Sequence, residues 1–178
     1  REPMERARSS SRAYSGKIVS LRVDEVEMPD GRRTTREVVE HPGAVGILPI
    51  TPEGRIVMVE QYRYAIGRKL LEIPAGTREP DEPADETARR ELLEETGYRA
   101  ERIEEFARFY TSPGWANEEI VLFKALAVGG RGPTPDPDEI LRIVVVDPAD
   151  VPGLMRDGLI ADGKTMTAVS LYLAALER

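Results

Sequence analysis

Between Gly76 and Tyr98 the chain reads GTREPDEPADETARRELLEETGY, and no other stretch restricts the fold as tightly. Pro83 suits the first turn of a helix, acidic residues crowd that turn, and Gly97 suits a left-handed cap at the far end. A helix is therefore expected over residues 83–96. Ala84, Ala88 and Leu92 recur at four-residue spacing and give it a stripe that must be buried. Glu91, Glu94 and Glu95 share a face, because residues three and four apart are neighbours on a helix. Carboxylates packed in this way repel one another, and helix stability alone would not favour them. A hard divalent cation removes the repulsion, since Mg²⁺ prefers oxygen ligands and keeps several waters. Arg90 is placed to pair with a carboxylate such as Glu82 and to orient the loop around Gly76.

Composition removes the competing chemistries. The 178 residues include no cysteine, so disulfides, thiolate metal sites and cysteine nucleophiles are excluded. His41 is the only histidine, which excludes a histidine-rich zinc site. It precedes Pro42 at a strand boundary and reads as structural. A formal net charge of −7 makes the chain a poor nucleic-acid binder, since phosphate backbones demand a basic stripe. No apolar run approaches the roughly 18 residues of a membrane span. The polar start, REPMERARSSSRAYSG, lacks the apolar centre of a secretory signal, so a cytoplasmic protein is expected. Arg1 is not an initiator residue, and a trimmed chain is expected.

Strand-like alternation follows Gly16, in Ile18 to Val23, and returns in Thr34 to Val39 after the turn signal Pro29-Asp30-Gly31. Further strands are expected over residues 44–50, 55–61, 70–73, 102–110, 119–127 and 140–146. Helices are expected over 148–157 and 164–176. Residues 1–13 are charged and serine-rich and read as a disordered tail. The division expected is therefore that tail, an N-terminal β region over 14–40, and a mixed α/β domain over 41–178.

The order Gly, five residues, Glu, seven residues, Arg-Glu, aliphatic, any residue, Glu-Glu, any residue, Gly resembles the Nudix box. Gly76, Glu82, Arg90, Glu91, Leu92, Glu94, Glu95 and Gly97 fill its positions, and Tyr98 takes a slot that is more often aliphatic. Pro113 lies sixteen residues past Gly97, within Ser112-Pro113-Gly114-Trp115-Ala116-Asn117-Glu118. That segment is similar to one in the ADP-ribose pyrophosphatase branch of the Nudix superfamily. Gln61-Tyr62-Arg63, the stretch from Leu71 to Gly76, and His41-Pro42-Gly43-Ala44-Val45 also look like that branch.

The resemblance implies an α/β/α sandwich around a mixed sheet, preceded by a small β region that exchanges between the subunits of a homodimer. It implies metal ligation by the carbonyl of Ala75 with Glu91 and Glu95, with Glu94 joining or bridging. Glu94 and Arg90 would serve catalysis, although Arg90 and Glu82 read mainly as structural. Arg36 and Glu37 would reach the nucleotide from the partner subunit, the alternative being an exposed strand pair. Arg63 would contact the diphosphate or terminal ribose, or else pair locally. Gly114 would meet substrate, Glu118 would contact substrate or metal, and Trp115 would stack on a base or anchor packing. The base is expected on the loop 129–139, with Glu139 preferred to Asp138, or else this is only an acidic turn. The activity implied is hydrolysis of ADP-ribose to AMP and ribose 5-phosphate by metal-activated water, with Mg²⁺ expected and Mn²⁺ the alternative. A broader nucleoside-diphosphate-sugar pyrophosphatase, acting for example on GDP-mannose, stays open. A non-catalytic nucleotide sensor is disfavoured because every box carboxylate is present.

Overall fold

The computed structural model describes residues 4–130 and 141–176, and divides them into two compact units. The first takes Arg1–Gly43 with Tyr110–Glu119, and the second takes Ala44–Phe109 with Ile120–Arg178.

In the first unit, β1 (Arg6–Ser15), β2 (Ser20–Glu27) and β3 (Arg33–Glu40) form an antiparallel sheet in that order. The β2–β3 hairpin turns through Asp30 and Gly31, where Gly31 adopts a φ of 81° that a side chain would strain. The disordered tail expected over residues 1–13 is corrected here, since β1 runs through most of it. All ten residues of β1 are exposed, so apolar patterning carries no trace of it. Its backbone pairs with β2 from Arg6 opposite Glu27 to Ser15 opposite Ser20. Cross-strand ion pairs accompany that ladder, with Arg8 on Glu27 at 2.7 Å and Arg12 on Glu40 at 3.0 Å. The segment 112–117 is stitched to β3: Val39 N–H donates to the Trp115 carbonyl at 2.8 Å and Asn117 N–H to the Val39 carbonyl at 3.1 Å.

The second unit is built on a mixed sheet. Its strands are β4 (Ala44–Ile50), β5 (Ile56–Arg63), β6 (Arg68–Glu72), β7 (Ala75–Thr77), β8 (Tyr98–Tyr110), β9 (Glu119–Gly129) and β10 (Leu141–Val146). The main path is β10-β5-β4-β9-β8, with β6 on β5 and β7 on β4. β4 runs parallel to β9 and antiparallel to β5 and β7.

Strand alternation sends neighbouring side chains to opposite faces, and two core clusters record this. Val45 and Ile47 of β4 join Val121, Phe123 and Ala125 of β9 on one face. There α1 (Ala84–Thr96) contributes Ala88 and Leu92, both fully buried, as its four-residue stripe predicts. Leu48, Ile120 and Leu122 point the other way. They meet Val151 of α2 (Val151–Arg156) and Ala168 and Val169 of α3 (Gly163–Leu176). A sheet covered by helices on both faces is the α/β/α sandwich expected. The helix expected over 148–157 is interrupted: a 3-10 turn over Pro148–Asp150, capped by the Asp147 side chain, precedes α2. Among the described residues no helix is long and apolar enough to cross a membrane.

Leu92 joins α1 to the sheet without exposed area. Leu92→Ala should cost about 2–5 kcal/mol of stability through lost burial and a residual cavity. Urea unfolding would show it as a lower midpoint at an unchanged m-value, and a loss under about 1 kcal/mol would mean that α1 is not held by this stripe.

Candidate active site

Helix α1 begins after Pro83, which takes the capping position with an extended backbone (φ −59°, ψ 139°) rather than the first turn itself. The Thr87 hydroxyl, one turn in, donates to Glu82 at 2.9 Å and ties the incoming loop to the helix. Gly97 ends α1 with φ 71°, and its N–H reaches the Leu93 carbonyl at 2.8 Å.

Arg90 is the hub of this helix. Its Nε and Nη2 donate to the two oxygens of Glu82 at 3.1 and 3.0 Å. Its Nη1 donates to Glu91 at 2.8 Å and to Glu94 at 3.1 Å. The hydrogen bond to Glu82 pushes the Arg90 pKa well above its usual value despite desolvation, and the charges of Glu91 and Glu82 add to it. Glu82 lies below the ordinary glutamate range, first through Arg90 and then through Thr87. The repulsion that sequence reasoning assigned to a cation is thus already shared by a guanidinium.

The loop before α1 approaches the same carboxylates. A Cβ on Gly76 would stand 2.0 Å from the carboxyl carbon of Glu91, so only glycine lets that side chain lie over the loop backbone. Glu95, which is 5% exposed, accepts a hydrogen bond from Ala75 N–H at 3.2 Å. Ala75 and Gly76 are themselves placed by β7, opposite Gly46 and Val45 of β4. Among the described residues no three acidic or histidine side chains are gathered into a preformed cage. Glu91, Glu94, Glu95 and the adjacent backbone nonetheless offer only hard oxygen donors, and the glycine cradle brings Glu91 to the loop. That donor set fits a divalent cation.

Beside this helix the structure assembles a cluster that sequence reasoning did not find. Arg63 donates through Nε and Nη2 to the two oxygens of Glu72 at 2.7 and 2.8 Å. The Glu72 side chain is 1% exposed. Lys164 Nζ donates to the same carboxylate and, at 2.9 Å, to Asp162. Burial alone would raise the Glu72 pKa, but Arg63 and Lys164 outweigh it, and the group lies below the usual glutamate value. Arg63 is raised first by its hydrogen bond to Glu72, with the charges of Glu95 and Asp162 adding to it. The local pair that was the alternative for Arg63 does form. A glutamate inside the apolar run Leu70 to Ile73 was the available signal, since a buried charge needs partners. Its partner Lys164 is 92 residues away in sequence.

Arg36, Glu37, His41, Gly114, Trp115 and Glu118 lie in the first unit. Arg36 forms a two-point pair with Glu5 at 3.0 and 2.7 Å, and Glu37 is exposed on β3. A Cβ on Gly114 would meet open space, so packing does not require glycine there. Glu118 accepts from the Thr111 hydroxyl at 2.8 Å and lies 3.5 Å from His41 Nδ1. His41 Nδ1 accepts from Gly43 N–H at 3.0 Å, and its own backbone N–H donates to Asn117 at 2.9 Å, which suits a structural role. Trp115 is 57% exposed, so it is not a packing anchor. Glu139 and Asp138 lie outside the described residues.

Comparison with known proteins bears on the fold and the family. A NUDIX domain model matches residues 40–168, and a nucleoside diphosphate sugar hydrolase N-terminal domain model matches residues 5–39. A Bacillus subtilis (strain 168) protein named ADP-ribose pyrophosphatase is 41% identical over 175 residues, covering 97% of this chain and 94% of its own. A Bacillus methanolicus protein named methanol dehydrogenase activator is similar to the same degree, at 41% over 175 residues with the same coverage. A solved structure described as an ADP compounds hydrolase shares the fold, with a TM-score of 0.86 and 20% identity over 98% of this chain and 95% of that one.

Two outcomes test this arrangement. Gly76→Ala should lower stability by about 1–3 kcal/mol in thermal melts, because Glu91 must be pushed off the loop; an unchanged melt would deny the close approach. Because Glu82 is depressed in the folded state, its pairing with Arg90 stabilises fully above its ordinary value of 4.5 and is lost as pH falls through the lower folded value. Arg90→Met should therefore lose less stability than the parent when melts are run from neutral pH to below 4.5. An equal acid loss in both proteins would sink this account.

Proposed function

The chain belongs to the Nudix family, and from that premise we propose that it hydrolyses ADP-ribose to AMP and ribose 5-phosphate with the help of Mg²⁺. The observation that carries the reading is the Gly76–Glu91 approach beside Glu95, within a chain 41% identical over nearly its whole length to an ADP-ribose pyrophosphatase.

When bound, a divalent cation withdraws charge from phosphorus and makes the attacking water more acidic. The protein's own groups supply the rest. Glu91 and Glu95, with Glu94 and the Ala75 carbonyl, hold hard oxygen ligands around one end of α1. Arg90 holds Glu91 and Glu94 in place through hydrogen bonds and ties Glu82 to the helix, which fixes the loop at Gly76. Arg63 keeps spare N–H donors for a phosphate oxygen. Arg36, Glu37, Gly114 and Glu118 are assigned to substrate by their motif positions, and Glu139 is assigned as the base on the same ground.

We further propose a homodimer in which the N-terminal β region is exchanged. Its support is β1 itself, an exposed ten-residue edge strand, since such edges invite pairing with another chain. The cysteine-free chain suits a cytoplasmic location.

Purified protein with Mg²⁺ should release AMP and ribose 5-phosphate from ADP-ribose, read by chromatography. Release of nothing from ADP-ribose, with fast cleavage of GDP-mannose, would overturn the substrate while leaving the family untouched. Glu95→Gln keeps an acceptor for Ala75 N–H, so it should fold normally yet lose roughly 100-fold or more in kcat. A variant that retains activity would remove Glu95 from the metal site. Sedimentation should give a dimer, and deletion of β1 a monomer; a monomeric parent would end the exchange proposal.

A further inference from the structure

Glu72, Lys164 and Asp162 have no role in the proposed hydrolysis, and the cluster they form with Arg63 is expensive to build. A carboxylate that is 1% exposed must be compensated, or burial would neutralise it. Here it receives two donors from Arg63 and one from Lys164, and Lys164 is in turn held by Asp162. An apolar residue at position 72 would meet the packing need of β6 at lower cost, as buried ion pairs are often no more stabilising than hydrophobic isosteres. Stability therefore does not explain this arrangement.

Its geometry does. A guanidinium carries five N–H donors in a rigid plane. Glu72 takes the Nε and Nη2 edge at 2.7 and 2.8 Å, which fixes the orientation of that plane. Among the described residues the Nη1 group and the outer Nη2 hydrogen meet no acceptor, which leaves them for a ligand. The Arg63 side chain is 41% exposed, so those donors can meet a ligand from solvent. Glu72, which holds the guanidinium, ends β6 three residues before Ala75, and Ala75 N–H donates to Glu95 at 3.2 Å, which brings the cluster next to the metal-binding end of α1. Arg63, Glu72, Lys164 and Asp162 balance in formal charge. What the cluster offers an incoming phosphate is direction, with the ordering entropy of a long side chain already spent.

We infer that Glu72 is a positioning residue for substrate: its buried carboxylate, braced by Lys164, holds Arg63 with free N–H donors turned to the diphosphate. Lys164 acts through Glu72, holding the carboxylate so that it cannot swing with Arg63. This inference rests on the proposed hydrolysis of ADP-ribose, and it adds a specific function for two residues that the Nudix box does not contain.

The test is steady-state kinetics of the full chain with ADP-ribose and Mg²⁺, alongside thermal melts. Glu72→Gln should raise KM about tenfold while kcat changes by less than about threefold, as expected when an oriented binding contact is loosened without touching the reacting atoms. Arg63→Lys keeps the charge and loses the fork, and should raise KM to a similar degree. In the double variant the two effects should fall short of multiplying, because both act through one contact. If Glu72→Gln does not fold, Lys164→Met replaces it, with KM expected to rise about threefold. A Glu72→Gln protein with a lower melting temperature and an unmoved KM would overturn the inference, as would fully multiplicative effects, or an unmoved KM in Lys164→Met. An inactive parent protein would overturn the substrate reading together with this one. An active parent with unmoved variants would overturn this one alone.

Discussion

Arg90 reaches three carboxylates from one position on α1, and the architecture of the site follows from that reach. Two of its nitrogens hold Glu82, which precedes the helix, and the third holds Glu91 and Glu94 on the helix itself. Removing the guanidinium would leave acidic groups crowded against a loop whose backbone lies within contact of Glu91. The loop can come so close only because residue 76 has no Cβ. The glycine supplies the space and the arginine the attraction. Neither would place Glu91 alone, and β7 anchors the loop end to β4 so that the approach is rigid.

The second charged assembly has a different physical character. The Arg90 network is partly exposed, and water screens it. Glu72 sits beneath the surface, where screening is weak and a missing partner would be costly. Its partners arrive from the end of β5, next to β6, and from the first turn of α3. Arg63 thus comes from the same sheet as the carboxylate and Lys164 from the helical layer, with α3 fastened nearby by the Thr165 hydroxyl, which accepts from Ile73 N–H at 3.0 Å. Glu91 and Glu95 meet Gly76 and Ala75 in the short strand β7, and Glu72 lies three residues before it in the chain.

The N-terminal unit obeys another rule. β1 buries nothing, and its strand is held by backbone pairing and by cross-strand arginine–glutamate pairs. Sequence patterning detects burial, so a strand without burial reads as a tail. The same limit hid Glu72 and Lys164. Each is an ordinary residue in its own stretch, and their partnership exists only when β6 and α3 meet.

Local chemistry in the sequence determined the helix over 84–96, its capping glycine, its buried stripe and the carboxylate face, because 3.6-residue periodicity and turn preferences act over a few residues. The same local signals placed most strands, and the box spacing marked the family. Tertiary structure alone decided how far the carboxylates are neutralised by Arg90, that Gly76 is demanded by Glu91 rather than by a turn, and that Arg63 is locked by Glu72 and Lys164. These depend on distances between elements set by packing two helical layers on a mixed sheet, and such distances are not encoded in the spacing of any one segment.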